Sequence, residues 1–193
     1  MPEKIFLTQQ QLDQDAIALG KQVLESGFRP TSIIALWRSG VPFGIAIQEF
    51  LDYFTECKAD HISIRTSSYS GIDNQSREIR IHGLSYLIKT LNRNDSVLIV
   101  DDVFDSGRTI DELIRTLHSK CRSNTPQDIR IAVPWYKPEK NQTDRVPDYY
   151  LHTTDRWLKF PFSLEALQIE EIRKNRPEIY SIIKPALSEL KSD

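Results

Sequence analysis

Residues Val97 to Ile110 read V-L-I-V-D-D-V-F-D-S-G-R-T-I, four apolar residues running directly into three aspartates within five positions. Such an apolar run suits a strand covered on both faces. Beyond the aspartates, Ile110, Leu113, Ile114 and Leu117 recur at i, i+3, i+4 and i+7, the spacing of a buried helix face. The intervening D-D-V-F-D-S-G-R-T is therefore expected to be a strand-to-helix turn. A carboxylate at the end of a buried strand is unfavourable unless something compensates it, and adjacent carboxylates repel. Solvent, a cation or a polyol must satisfy Asp101 and Asp102. Just downstream, Ser106, Gly107 and Thr109 sit where the helix begins, so backbone N–H groups, hydroxyls and the helix dipole can cradle a phosphate. Gly107 allows the tight turn that aims those N–H groups inward. Phosphate on the loop and diol-binding carboxylates beside it describe a ribose 5-phosphate site. A solvated Asp-rich turn with an Asp or Ser cap is the plainer alternative, and the length of the ordered string argues against it.

The pattern around this turn sets the fold class. Thr8 with Gln11 is a capping-box pattern, followed by Leu12, Ala16, Leu19 and Val23 at helical spacing and a stop at Gly27. S-I-I-A-L-W (Ser32 to Trp37) reads as a strand, R-S-G as a loop and G-I-A-I-Q-E-F-L as a helix. H-I-S-I-R reads as a strand leading into T-S-S-Y-S-G-I-D-N-Q-S-R-E, which has little to bury and reads as a mobile loop. D-I-R-I-A-V-P-W and D-Y-Y-L supply two more strands, and helical patterns near Leu164 to Lys174 and Glu178 to Leu190 close the chain, with Pro185 expected to kink or end the last. Strands alternating with helices predict an α/β fold with a mostly parallel sheet, whose ligands bind at the strands' carboxyl ends.

Length and charge narrow the partners. A chain of 193 residues suits one domain with a sizeable core. With 25 Lys plus Arg against 27 Asp plus Glu, it carries no basic footprint for nucleic acid or an anionic membrane. No uncharged apolar segment approaches a membrane span, and the N-terminal M-P-E-K-I-F-L-T lacks a signal pattern, so the expectation is a soluble cytoplasmic protein. Cys57 and Cys121 share no metal-binding spacing and read as structural.

V-L-I-V-D-D-V-F-D-S-G-R-T resembles the signature of the type I phosphoribosyltransferases, which use phosphoribosyl pyrophosphate, and the resemblance covers roughly Lys4 to Phe162. It implies the type I phosphoribosyltransferase fold over residues 1–162, a mobile hood loop at 66–80 and a C-terminal helical extension at 163–193. By position, it implies that Asp101 and Asp102 hold the ribose hydroxyls and Ser106, Gly107, Arg108 and Thr109 the 5-phosphate, although Arg108 occupies a variable position in the family. Asp105 is implied to lie near the purine N7 as general base or acid. W-R-S-G-V-P resembles the family's pyrophosphate loop, so Arg38, Ser39 and Gly40 are implied to meet the leaving group, with a non-proline cis peptide expected at Arg38-Ser39. The 66–80 segment resembles the hood of bacterial xanthine-guanine members, with Ser68 and Tyr69 as a recurring pair that meets pyrophosphate.

The resemblance is strongest to the members that act on 6-oxopurines. In these a lysine after the next strand donates to the oxygen at C6 and an aromatic residue about twenty positions later stacks on the ring; A-V-P-W-Y-K-P offers Lys137 and R-W-L-K-F-P-F offers Trp157. The backbone at Trp157 and Leu158 is implied to meet position 2. An ammonium has only donors, so it accepts hypoxanthine, guanine or xanthine and disfavours adenine. The implied activity is purine salvage: transfer of 5-phosphoribosyl to N9 of the base, with Mg2+ bound through phosphate and diol oxygens and reached by Asp101 and Asp102 indirectly. By resemblance the chain is a homo-oligomer, dimer or tetramer. The rival is a regulator on the same fold that senses the sugar phosphate without turnover, and a pyrimidine or adenine acceptor is a third reading.

Overall fold

Alternation of apolar strands and amphipathic helices produces the expected α/β architecture in a computed structural model, which describes residues 4–70 and 77–189. The elements begin with β1 (Lys4–Phe6), α1 (Gln9–Glu25), β2 (Ser32–Trp37), α2 (Val41–Phe54), β3 (Asp60–Ser70), β4 (Arg77–His82) and α3 (Ser85–Thr90). They continue with β5 (Ser96–Val100), β6 (Val103–Phe104), α4 (Arg108–Cys121), β7 (Asp128–Tyr136), β8 (Tyr149–Thr153), β9 (Trp157–Lys159), α5 (Ile169–Asn175) and α6 (Pro177–Glu189). The chain divides into two compact units, residues 10–155 and residues 1–9 with 156–193.

The larger unit is built on one sheet, hydrogen-bonded in the order β4-β3-β2-β5-β7, with β6 and β8 also paired to β7. All pairs are parallel except β3 with β4. Val100 stands opposite Ala132 and Val103 opposite Trp135, so β6 resumes the register of β5 after Asp101 and Asp102. On one face Ile34, Leu36, Val97, Ile99, Ile131 and Val133 pack with Leu87 of α3 and with Ile110, Leu113, Ile114 and Leu117 of α4. Each such fully buried aliphatic side chain contributes about 1.5–3 kcal/mol. Strand alternation sends Ile33 and Ala35 to the opposite face, where α2 lies so close to Ala35 that a Cβ on Gly44 would come within 2.7 Å of the Ala35 Cβ. Helix α1 buries Leu12, Ala16, Leu19 and Val23 as its periodicity predicts, and the stop at Gly27 has φ +79°.

The segment expected to be a loop over 66–80 differs on either side of 71–76, which lie outside the described residues. Strand β3 continues to Ser70, and β4 runs antiparallel to it with Thr66 opposite Ile81. The alternation R-E-I-R-I-H is the signal for β4, placing Ile79 and Ile81 on one face, and Ile81 packs against the core.

The smaller unit pairs β1 with β9 in parallel, Lys4 opposite Trp157 and Phe6 opposite Lys159. Its first helix starts later than the expected Leu164 because a reciprocal cap between Gln168 and Glu171 sets the start of α5. Helix α6 carries Pro185 inside it and continues to Glu189 instead of ending there; a proline withholds one ladder donor. Arg176 is buried and donates to the Phe160 and Ser163 carbonyls, each at 2.6 Å. Among the described residues no helix is long and apolar enough to cross a membrane.

Candidate functional site

The gap between β5 and β6 places two carboxyls at the carboxyl end of the central strands. The Asp101 N–H donates to the Ala132 carbonyl at 3.2 Å, which keeps the backbone in the ladder, and the Asp102 N–H donates to the Asp101 carboxyl at 2.9 Å. Burial pushes the Asp101 carboxyl well above the ordinary carboxylate range, and the neighbouring Asp102 charge adds to the shift. Asp102 is raised by burial as well, offset in part by hydrogen bonds from Asp101, from backbone N–H groups and from the Ser39 hydroxyl. Two carboxyls whose ionised form is disfavoured by burial at a strand end are poised to gain from a ligand that brings hydroxyl donors or a cation.

That Ser39 contact depends on Gly40. A Cβ at position 40 would lie 2.6 Å from the Val100 carbonyl oxygen and 2.9 Å from the Asp101 Cα. Only glycine lets the W-R-S-G turn approach the end of β5 so closely. The cis peptide in this turn is Trp37-Arg38, one bond earlier than the expected Arg38-Ser39; the bend is made as β2 ends, so that Ser39 and Gly40 face β5. Trp37 and Arg38 line a pocket of about 380 Å³ with Arg65, Thr66 and Ser67 of β3. Arg65 stands directly opposite Trp37 in the register. The H-I-S-I-R strand contained this arginine, but only the pairing of β3 with β2 places it beside the turn. Ser68 and Tyr69 continue along β3 opposite Ile79 and Glu78, and their side chains lie outside the described part of the structure.

Asp105, Ser106, Gly107, Thr109 and Asp101 surround a pocket of about 70 Å³, roughly twice the ~30 Å³ share of a liquid water. Gly107 caps α4 at φ +73°, and a Cβ there would lie 2.6 Å from the Thr143 hydroxyl and 2.7 Å from the Phe104 ring. The turn is therefore closed on both sides, with the Ser106 carbonyl accepting from the Gln142 N–H at 3.0 Å. The N-terminal end of α4 and the Ser106 and Thr109 hydroxyls suit an anion. Arg108 is not among the residues around this pocket; it lines a neighbouring groove of about 850 Å³ with Asp111, Arg115, Thr143 and Arg145. Gln142 and Thr143 carry no recognisable motif, and their support of the turn emerges only from the fold.

Lys137 follows β7, its N–H donating to the Phe104 carbonyl at 2.9 Å. Its side chain is buried, and its ammonium donates to the Asp105 carboxylate at 3.0 Å. Sequence positions 32 residues apart thus become a donor and an acceptor side by side, next to the anion pocket. Trp157 and Leu158 lie on β9 in the smaller unit, Trp157 half-exposed and Leu158 buried. Both cysteines are free thiols raised by burial, Cys57 bonding the Pro30 carbonyl at 3.0 Å.

No cluster of three or more His, Cys, Asp or Glu side chains suited to a metal occurs among the described residues. The oxygen-only donors Asp101 and Asp102 fit a hard cation that arrives with most of its ligands supplied by phosphate, diol and water.

The family described as "Phosphoribosyl transferase domain" matches residues 4–168. The chain is similar to a hypoxanthine-guanine phosphoribosyltransferase of Lactococcus lactis subsp. lactis, 25% identical over 185 residues, which span 95% of this chain and 92% of the relative. It is also similar to the transcriptional regulator GfcR of Methanosphaera stadtmanae, 28% identical over 132 residues, 68% of this chain and 58% of the relative. Among solved structures, a purine phosphoribosyltransferase from Pyrococcus horikoshii superposes with a TM-score of 0.67 at 28% identity, over 86% of this chain and 97% of that one.

Proposed function

Because this chain belongs to the phosphoribosyltransferase domain family, we propose that it transfers the 5-phosphoribosyl group of phosphoribosyl pyrophosphate to N9 of a 6-oxopurine. The products are the nucleoside 5-monophosphate and pyrophosphate. The observation that carries the base assignment is the Lys137–Asp105 pair at 3.0 Å. The O6 and N7 atoms of a 6-oxopurine are neighbouring positions that one bidentate group can span. Lys137 donates to O6, and Asp105 accepts the proton from N7 as the N9 lone pair attacks C1 of the ribose and the bond from C1 to pyrophosphate oxygen breaks. Adenine would set an amino group against the ammonium, donor against donor.

The sugar takes the remaining groups. Asp101 and Asp102 hold the ribose hydroxyls, and Ser106, Gly107 and Thr109 hold the 5-phosphate with Arg108 alongside. Arg38, Ser39 and Gly40, joined by Ser68 and Tyr69, receive the pyrophosphate. Trp157 gives the base a stacking face, and the backbone at Trp157 and Leu158 meets position 2. Asp101 and Asp102 would hold Mg2+ indirectly, and the ion would supply neutralisation of the pyrophosphate charge. Positive charge grows on the ribose ring as the C1 bond breaks, and the Asp105 carboxylate opposes it. Exposed apolar side chains on α2, Ile45, Tyr53 and Phe54, support a homo-oligomer.

Similarity to GfcR favours a second reading, a regulator that senses the sugar phosphate. The nearly even count of 25 basic and 27 acidic residues weighs against a nucleic-acid partner. The test mixes the purified protein, Mg2+ and phosphoribosyl pyrophosphate separately with hypoxanthine, guanine, xanthine and adenine. Nucleotide from a 6-oxopurine and none from adenine supports the enzyme. Sugar-phosphate binding without product from any base supports the regulator.

A further inference from the structure

Against the turn proposed to hold the 5-phosphate lies a segment that the chemistry above leaves unused, residues 141–145, within the larger unit. Two contacts join it to the turn. The Gln142 N–H donates to the Ser106 carbonyl at 3.0 Å, and a Cβ on Gly107 would come within 2.6 Å of the Thr143 hydroxyl. The segment is also bonded to itself. The Asn141 carboxamide oxygen accepts from the Thr143 N–H at 2.9 Å and from the Thr143 hydroxyl at 3.0 Å, while its nitrogen donates to the Arg145 carbonyl at 2.8 Å. The Arg145 N–H donates in turn to the Thr143 hydroxyl at 3.3 Å. Residues 141 to 145 are therefore one cross-braced piece, and where Arg145 is held decides where Gln142 and Thr143 stand.

Arg145 is held by α4. Its Nε donates to the Asp111 carboxylate at 2.8 Å across 34 positions of sequence. Asp111 stands in the first turn of α4, and its N–H donates to the Gly107 carbonyl at 3.0 Å. Its side chain is 17% exposed and that of Arg145 38%, so solvent and salt screen this pair less than a pair on the open surface. The other oxygen of Asp111 meets the Arg115 Nε at 2.7 Å. That arginine lies one turn along the same helix and is largely exposed, so it ties the helix only to itself. Of the two guanidiniums on Asp111, the one from Arg145 joins separate elements.

The turn needs such a brace. A helix end binds an anion through N–H groups that must point at one place, and here they follow Gly107 at φ +73°, a residue type with wide backbone freedom. Resting on the sugar-phosphate site proposed above, we infer that Arg145 is a positioning residue. Through Asp111 it holds residues 141–145 against Ser106 and Gly107, and so fixes the N–H groups that meet the 5-phosphate. It acts on the turn and not on the ligand.

The test measures binding of ribose 5-phosphate, and separately of pyrophosphate with Mg2+, by calorimetry in the wild-type protein and in Arg145→Met, Arg145→Lys and Arg115→Met. Pyrophosphate is the control, because it is assigned to the W-R-S-G turn, which a general loss of folded structure would weaken equally. Arg145→Met should raise Kd for ribose 5-phosphate by roughly 10- to 100-fold and leave pyrophosphate within a few-fold, with Arg145→Lys falling between it and the wild type. Arg115→Met should leave both ligands within a few-fold. If Arg145→Met does not fold, Thr143→Val decides: it keeps the size of the side chain, deletes the hydroxyl that braces the segment, and should show the same selective loss at smaller size. Unchanged ribose 5-phosphate binding, an equal loss for both ligands, or an equal loss in Arg115→Met overturns the assignment; the last would leave Arg145 as one of two charges that neutralise Asp111. A wild type that binds ribose 5-phosphate but forms no nucleotide refutes the transferase and leaves this test standing. A wild type that does not bind ribose 5-phosphate overturns the sugar-phosphate site, and the role of Arg145 with it.

Discussion

The Lys137 ammonium lies 3.0 Å from the Asp105 carboxylate, and the lysine is nearly inaccessible where the aspartate is half open to solvent. Of the two, the carboxylate is the more open to an incoming base. Asp105→Asn keeps the shape of that acceptor and removes its basicity. Turnover is expected to fall by about 10²- to 10⁴-fold, with the circular dichroism spectrum and Tm little changed. Near-normal kcat would remove Asp105 from proton transfer.

Lys137→Met tests the other half of the pair. The substitution preserves the apolar stem and deletes the donors, leaving Asp105 without its partner and the base oxygen unbonded. Use of hypoxanthine and guanine should weaken by about 1–3 kcal/mol in kcat/KM, and discrimination against adenine should shrink. Steady-state kinetics with the three bases decides it; unchanged base preference would assign Lys137 to structure alone.

Asp101 and Asp102 are raised by burial, so the native protein retains protons that the unfolded chain has released. Without ligand, stability is expected to fall as pH rises from the ordinary carboxylate value of about 3.9 through the raised native values. Asp101→Asn can still accept from the Asp102 N–H and brings no charge. It should stabilise the unliganded protein by about 1–3 kcal/mol, roughly 2–4 °C in Tm per kcal/mol, flatten that pH slope and abolish tight sugar-phosphate binding. A lower Tm would show that the carboxylate is already compensated.

Gly40→Ala should force the W-R-S-G turn from the end of β5, because its Cβ would meet backbone atoms at 2.6 and 2.9 Å that have little room to move. We expect a loss of roughly 1–3 kcal/mol in urea unfolding and at least about a tenfold rise in KM for phosphoribosyl pyrophosphate, equivalent to about 1.4 kcal/mol. Unaltered KM would separate the turn from the leaving group.

The stretch proposed to hold the 5-phosphate was the most legible part of this chain. A buried strand, a glycine and a helix at fixed order leave the backbone few choices, so the chain turns from β5 into α4 as expected, although the turn also contains the short strand β6 (Val103–Phe104), which the sequence reading did not include. The pairing of Lys137 with Asp105 was half legible: each residue stood out, and their contact needed the parallel register of β6 with β7. Arg65, Gln142 and Thr143 were invisible because their roles depend on which strands and loops become neighbours, information that local spacing does not carry. Strand β4 was overlooked for another reason. Serines, glycine and asparagine before it resemble a loop, and its two isoleucines form too short an alternation to outweigh them.

The unbroken register from β5 into β6 ties the working groups to the most protected part of the molecule. The amides of Asp101 and Lys137, which flank the carboxyl pair and the base-edge pair, are both engaged with carbonyls of neighbouring strands. Their exchange with deuterium should track opening of the central sheet and not local fraying. The groups proposed to react are then held still by the same cooperative unit that holds the fold. Any motion that admits substrate and releases product must be borne by segments outside that ladder.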